Sequence, residues 1–371
     1  MPRRAGGLWG RLTSFPNLLL AHRKARRGKR DRRAVMAFEY DLERSVAALQ
    51  VELVGRTYRP GGYRSFLIRE PKPRLISAAP YRDRVVHHAL MNVLEPVLDA
   101  RLSPDSFACR KGKGTHAALD RYTHYARRHE FVWHGDISKF YASIDHESMR
   151  RALRRILKGP DVLGLLDGIL DAGPPQEAPL AWFPGDDLFS PLERRRGLPI
   201  GNLTSQWMAN LYLDPLDRFV RQTLRADGYV RYCDDFCVFG DDRRELRAAV
   251  SATREFLGQR LRLELNPKHL EVARTARGIA FLGMRVFPDH RRLAPASLAR
   301  SVRRLRRSVS ASANGLDRRG RLAAALPWIA HLAHADTWHL RARVLARLAR
   351  EGCRTAHSRA TRGFAPGPRK R

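Results

Sequence analysis

Three places in the chain set two aspartates side by side: Asp186-Asp187, Asp234-Asp235 and Asp241-Asp242. Paired carboxylates are hard oxygen donors, suited to Mg²⁺, which keeps several waters and needs few carboxylates from a rigid frame. Two such ions, roughly 3.5–4 Å apart, activate an attacking oxygen and hold a leaving pyrophosphate. Context separates the three pairs. Asp186-Asp187 lies in FPGDDLFSPLE, close to Pro184 and Pro191, and reads as a loop. Asp242 opens DRREL, with Glu245 three residues on, as in a helix-capping box. Only Asp234-Asp235 is flanked by apolar, strand-forming runs, in YVRYCDDFCVF. Two acids there are costly to bury without a metal or a basic partner, so a tight hairpin carrying both at its tip is expected. Asp136, which ends FVWHGD ahead of Phe140-Tyr141, is the third candidate ligand. Its neighbour Asp145 is expected to cap a helix beginning at His146.

The elements that must position these acids follow from periodicity. Val35, Phe38, Leu42, Val46, Leu49 and Leu53 recur every three or four residues and predict a helix closed by Gly55. Short strands are expected over 63–80, around the basic, proline-broken Arg69-Glu70-Pro71-Lys72-Pro73-Arg74. A helix follows over about 82–98, then the segment Ser106–Tyr125 with its basic, glycine-bearing Arg110-Lys111-Gly112-Lys113-Gly114. That stretch lacks the GxxxxGK[ST] spacing of a Walker loop. Its basic side chains suit phosphates of a template backbone or a nucleotide. A strand running into a helix start is expected over 131–145, a helix over 161–171 and a Pro/Gly-rich loop over 172–191. Beyond it come a helix near 203–225, a strand–turn–strand over 229–239, a helix over 243–258, and strands near 261–265 and 278–287. Strands and helices mix without regular alternation, so the fold class is α+β.

Composition narrows the partners. Seventy Lys+Arg against 37 Asp+Glu leave a net charge of +33. An excess of that size points to a polyanion, and phosphate backbones are the usual one. Residues 21–33, AHRKARRGKRDRR, concentrate the charge in what reads as a basic N-terminal arm over 1–33. Four cysteines (Cys109, Cys233, Cys237, Cys353) form no CxxC pair and have no zinc-like His spacing, which suits a reducing, cytoplasmic setting. No apolar run reaches the roughly 20 residues a membrane helix needs, and no secretory signal follows the N-terminus.

At this point the residues match a known pattern. Tyr232-Cys233-Asp234-Asp235 resembles the Y-x-D-D box of reverse transcriptases, and Asp136-Ile137-Ser138-Lys139-Phe140-Tyr141 resembles their first catalytic block. Gly197–Asp217 looks like the block between them. Leu265-Asn266-Pro267-Lys268 resembles the lysine-bearing segment, and Gly278–Gly283 the primer-grip hairpin. Lys72–Arg84 and Ser106–His116 look like the fingers blocks of bacterial retron- and intron-type enzymes. The similarity covers about residues 34–345. It implies that Asp136, Asp234 and Asp235 are catalytic and hold two Mg²⁺ (or Mn²⁺) ions, with the Ile137 carbonyl helping. It also implies that Tyr141 gates against a ribose 2′-hydroxyl, that Lys72 and Arg74 meet the triphosphate, and that Lys268 protonates pyrophosphate.

One departure is informative. Where most reverse transcriptases carry Q-G-x-x-x-S-P, this chain reads Ile200-Gly201-Asn202-Leu203-Thr204-Ser205-Gln206. That form resembles the enzymes of diversity-generating retroelements, which copy a template RNA with errors at adenines. Ile200, Gly201 and Gln206 are then nucleotide-site residues. The implied architecture is a right hand with fingers at 34–130, a palm at 131–288 carrying a loop insertion at 172–196, a helical thumb at 289–350 and a basic tail at 351–371. Arg300, Arg303, Arg304 and Arg307 share one thumb-helix face and, with Arg110, Lys111 and Lys113, are expected on the template–primer. The implied partners are template RNA, a DNA or RNA primer, dNTPs and a small basic accessory protein. The competing readings are a retron-type or phage-defence enzyme and, outside catalysis, an RNA-binding protein that keeps only the fold.

Overall fold

A computed structural model describes residues 3–69, 73–174, 181–295, 297–299, 303, 326, 329–343 and 346. Two compact units divide the chain: residues 1–118 with 131–272, and residues 119–130 with 273–371.

The first unit begins with helices α1 (Trp9–Thr13), α2 (Phe15–Ala25), α3 (Arg33–Tyr40) and α4 (Leu42–Val54), then the hairpin β1 (Arg64–Ile68) and β2 (Arg74–Ala78). It continues with α5 (Tyr81–Asp99), α6 (Thr115–Ala126, which runs on into the second unit), β3 (Phe131–Gly135), α7 (Phe140–Ser143), α8 (His146–Ile156) and α9 (Pro160–Asp171). After these come α10 (Ser190–Glu193), α11 (Leu203–Tyr212), α12 (Asp214–Arg218), β4 (Gly228–Tyr232), β5 (Asp235–Gly240), α13 (Arg243–Phe256) and β6 (Val272–Arg274). The α+β class holds.

Several expectations change. The segment expected as a basic arm carries two helices within residues 3–33, of which α2 buries Leu18, Ala21, His22 and Ala25 and leaves Arg23 and Lys24 exposed. One apolar stripe over 35–53 spans two helices, because Asp41 breaks the chain and its side chain accepts the Arg44 N–H to start α4. The helix expected near 203–225 breaks at Leu213, ahead of Pro215. No strand forms over 261–265; Arg262 takes a left-handed φ of 52° after a π-helical turn, and Leu265 keeps only an isolated bridge to Ile137. Asp145 does cap α8, accepting from Ser148 N at 2.7 Å, and Asp242 caps α13.

The sheet of this unit runs β4-β5-β3-β6, with β6 beginning at Val272. Strand β5 is central and antiparallel to both β4 and β3. Its interior residues Phe236, Cys237, Val238 and Phe239 are all buried, so burial on both faces explains the unbroken apolar run. Trp133 and Tyr229, from the strands on either side, pack against Phe236.

In the second unit, β7 (Ile279–Phe281), β8 (Met284–Val286) and β9 (Arg291–Leu293) form an antiparallel sheet. Phe281 stacks on Tyr122, and Arg291 pairs with Asp120 at 2.8 Å. The region expected to be wholly helical from 289 thus opens with a strand.

Candidate active site

The site forms where three strands of the first unit end together. Tyr232 pairs with Asp235, so Cys233 and Asp234 are the two residues of a tight turn. Cys233 takes φ 60°, a left-handed conformation that costs a non-glycine residue about 1–2 kcal/mol. Next in the ladder, Gly135 faces Phe236, which sets Asp136, one residue beyond β3, beside the hairpin tip. The glycine is a packing requirement: a Cβ there would lie 2.3 Å from the Phe236 ring.

The strain at Cys233 is held from behind. Arg231, fully buried, makes a bidentate pair with Asp217 of α12, both bonds 2.6 Å. Its remaining N–H groups reach Asn210 Oδ1 at 3.3 Å, Asn210 O at 3.4 Å and the Cys233 carbonyl at 3.0 Å. Tyr229 also donates to Asp217, at 2.7 Å. The Asp217 carboxylate holds the Arg231 guanidinium charged despite its burial.

The structure brings Asp136, Asp234 and Asp235 together at this strand end. Burial, reinforced by the charges of Asp235 and then Asp136, pushes the Asp234 carboxyl up to about 6. Negative charge gathered around Asp234 in this way favours a cation beside it. Asp136 Oδ2 accepts from Asn266 Nδ2 at 2.8 Å, and Asp235 Oδ1 lies 3.3 Å from His134 Nε2. Among the described residues, no group of three His, Cys, Asp or Glu side chains is placed to hold a metal ion by itself. The three carboxylates are hard oxygen donors, the kind that Mg²⁺ takes together with several waters.

Other predicted residues fall in varied places. Tyr141 lies against the turn, its hydroxyl 3.5 Å from Cys233 Sγ, and its carbonyl accepts from Leu198 N at 2.8 Å. Ile200 and Gly201 dock on β2: Ser77 N donates to Ile200 O at 3.0 Å, and a Cβ on Gly201 would lie 2.9 Å from Ile76. The Asn202 side chain adds bonds to Ser77 O and Ala79 N. Gln206 is half-buried, on α11. Arg74 is exposed at the start of β2, and Lys268 is exposed two residues after Asn266. Lys72, Arg300, Arg304 and Arg307 lie outside the described residues; Arg303 is exposed.

Arg110 is a correction. Its side chain is only 6% exposed, and its guanidinium binds Asp99 Oδ1, Ser103 O, Ser106 O and Asp99 O. Four of the fork's five N–H groups are spent within residues 99–106, so the side chain staples that stretch of its own chain rather than reaching outward as a phosphate contact would. Lys111 is exposed and 3.2 Å from Glu95, and Lys113 lies over the Phe107 ring.

Comparison with known proteins decides the family. The profile described as "Reverse transcriptase (RNA-dependent DNA polymerase)" matches residues 68–286. The chain belongs to the reverse transcriptase family. Two relatives are similar to this reverse transcriptase chain. Nuclear intron maturase 1, mitochondrial, of Arabidopsis thaliana is 30% identical over 90 residues, 24% of this chain and 13% of the maturase. Protein YkfC of Escherichia coli (strain K12) is 22% identical over 277 residues, 64% of this chain and 70% of YkfC. The chain thus spans about an eighth of the maturase's length. The matched region carries Asp136, Asp234 and Asp235 and the whole β4–β5 hairpin.

Sequence reasoning missed Arg231, Asp217, Asn210, His134 and Asn266 as parts of this reverse transcriptase site. One signal was available: an arginine in the middle of an apolar strand, two residues before the turn, needs a buried acid somewhere.

Proposed function

We propose that this chain copies an RNA template into DNA, using a DNA or RNA primer and dNTPs. The observation that carries the reading is the convergence of Asp136, Asp234 and Asp235 at one strand-end cluster, with Asp234 raised by burial and then by the charges of Asp235 and Asp136. Those three, with the Ile137 carbonyl, would hold two Mg²⁺ ions, which supply charge neutralisation for the attacking and leaving oxygens. Mn²⁺ has the same ligand preferences. The protein's own part is placement. Arg231 fixes the height of the turn, Gly135 admits Phe236 and so sets Asp136 in register, and Tyr141 stands beside Cys233 where a sugar edge would pass.

The proposed partition is fingers over 34–130, palm over 131–288 and thumb over 289–350. The net charge of +33 suits a template–primer, with Lys111, Lys113 and the thumb arginines along its backbone. Within the family, the reading we favour is the error-prone enzyme of a diversity-generating retroelement. Its support is Ile200 in place of glutamine, in the segment docked on β2. That role would bring in a small basic accessory protein and a cytoplasmic setting. No described helix is long and apolar enough to cross a membrane.

The test is primer extension on a mixed-sequence RNA template, with the product sequenced. Extension should require Mg²⁺ or Mn²⁺, stop with EDTA and fall at least a hundredfold in Asp234→Asn, given that changes around metal ligands alone cost roughly 10–100-fold. Errors concentrated at template adenines would support diversification. Faithful extension would favour the retron or defence role, and no extension by wild type with native RNA supplied would overturn the polymerase reading.

A further inference from the structure

We propose that Asn266 is a positioning residue: its carboxamide fixes the Asp136 carboxylate and locks the Lys268 backbone to it. The inference rests on the two-metal reading above. Three bonds carry it. Asn266 N donates to Asp136 O at 2.8 Å, Asn266 Nδ2 donates to Asp136 Oδ2 at 2.8 Å, and Lys268 N donates to Asn266 Oδ1 at 3.1 Å. Adjacent bonds extend the seam: Ser138 N donates to Glu264 O at 2.9 Å, and Ile137 bridges Leu265.

The chemistry specifies asparagine. One end of its side chain must donate to a carboxylate while the other accepts from a backbone N–H. Turning the amide over would set oxygen against oxygen and N–H against N–H, so the network fixes its orientation. Aspartate has no donor, and glutamine is a carbon too long to keep both bonds with the backbone bond in place. The bond occupies Oδ2 of Asp136 and leaves Oδ1 with no protein partner among the described residues. A carboxylate held by one oxygen cannot swing away, and its other oxygen is presented in one direction. Because the same carboxamide bonds Lys268, any shift of that loop moves the Asp136 carboxylate too.

The experiment reads Mn²⁺ binding by electron paramagnetic resonance on the full chain, beside primer extension as a function of Mg²⁺ and a thermal melt. Asp234→Asn serves as the reference. Asn266→Ala is expected to weaken Mn²⁺ binding by about 10–100-fold. Its extension should be lost at low Mg²⁺ and recover in part as Mg²⁺ rises. Asn266→Asp keeps the acceptor for Lys268, loses the donor to Asp136 and adds a negative charge beside it. It should bind Mn²⁺ as tightly as wild type or tighter, yet extend at least tenfold more slowly. If Asn266→Ala does not fold, the split between binding and extension in Asn266→Asp decides. Wild-type Mn²⁺ affinity and Mg²⁺ dependence in Asn266→Ala, or wild-type extension in Asn266→Asp, would overturn the role. Failure of Asp234→Asn to reduce Mn²⁺ binding would instead overturn the two-metal reading itself.

Discussion

Arg231 and Asp217 form a fully buried bidentate ion pair, and the same guanidinium reaches the carbonyl of Cys233 in the β4–β5 turn. The left-handed backbone at Cys233 is thus tied to a charged group packed between α11, α12 and β4. Removing one partner of a buried pair leaves an uncompensated charge and costs about 3–5 kcal/mol. Asp217→Asn is expected to lose that much stability in urea denaturation. Extension should fall further than the unfolded fraction explains, because the turn loses its reference point. A variant that unfolds with wild-type midpoint would show that the pair carries little.

Gly135 makes a different kind of demand. Its backbone lies under the Phe236 ring, where a methyl group would sit 2.3 Å from an aromatic carbon. Gly135→Ala therefore forces β3 away from β5 or turns the ring, at about 1–3 kcal/mol for an overpacked core. Because Asp136 follows directly, activity should drop more than stability. Gly135→Ala with Phe236→Leu should recover part of both, since leucine vacates the ring's space. The measurement is melting temperature beside extension rate for the single and double variants.

Those two cases show what was legible in the amino-acid string. The Y-C-D-D turn and Asp136 could be read because strand-forming residues flank acids that water would normally claim; the capping role of Asp242 follows from its three-residue spacing to Glu245, and that of Asp145 from its place directly before a helix start. The partners of Arg231 could not be read. Asp217 lies 14 positions away on a helix, and nothing local marks it as buried. Arg110 failed for the opposite reason. A basic residue near glycines looks like a phosphate contact, and only the fold reveals that four acceptors of its own loop surround it. Helix breaks at Asp41 and Leu213 were invisible to periodicity because the apolar stripe continues across them.

His87 gives a pH prediction. It is 2% exposed on α5, and burial, then the nearby His88 and Arg84, push its imidazole down to about 4. Unfolded, the ring titrates near 6.5, so below that pH the unfolded chain takes up a proton that the folded chain refuses. The folded state is fully favoured above about 6.5 and loses stability as pH falls toward 4, by an amount on the order of 3 kcal/mol. His87→Gln should flatten this acid slope while leaving extension at neutral pH close to wild type. Denaturation midpoints between pH 7 and pH 4.5 measure it, and parallel slopes for the two proteins would remove His87 as the cause.

Ile200 is attached to β2 through its backbone carbonyl, and Asn202 reinforces the attachment through Ser77 and Ala79. A side-chain exchange at 200 therefore leaves the segment docked, which makes Ile200→Gln a test of chemistry rather than of folding. Glutamine adds a donor and an acceptor beside the expected nucleotide position, where isoleucine offers only shape. If base-pair geometry is checked there, the variant should misincorporate less at template adenines, and a tenfold fall corresponds to about 1.4 kcal/mol of added discrimination. Sequencing cDNA from both proteins on one template reads the outcome directly. Equal error spectra would mean that Ile200 only packs, and the low-fidelity reading of this segment would have to be given up.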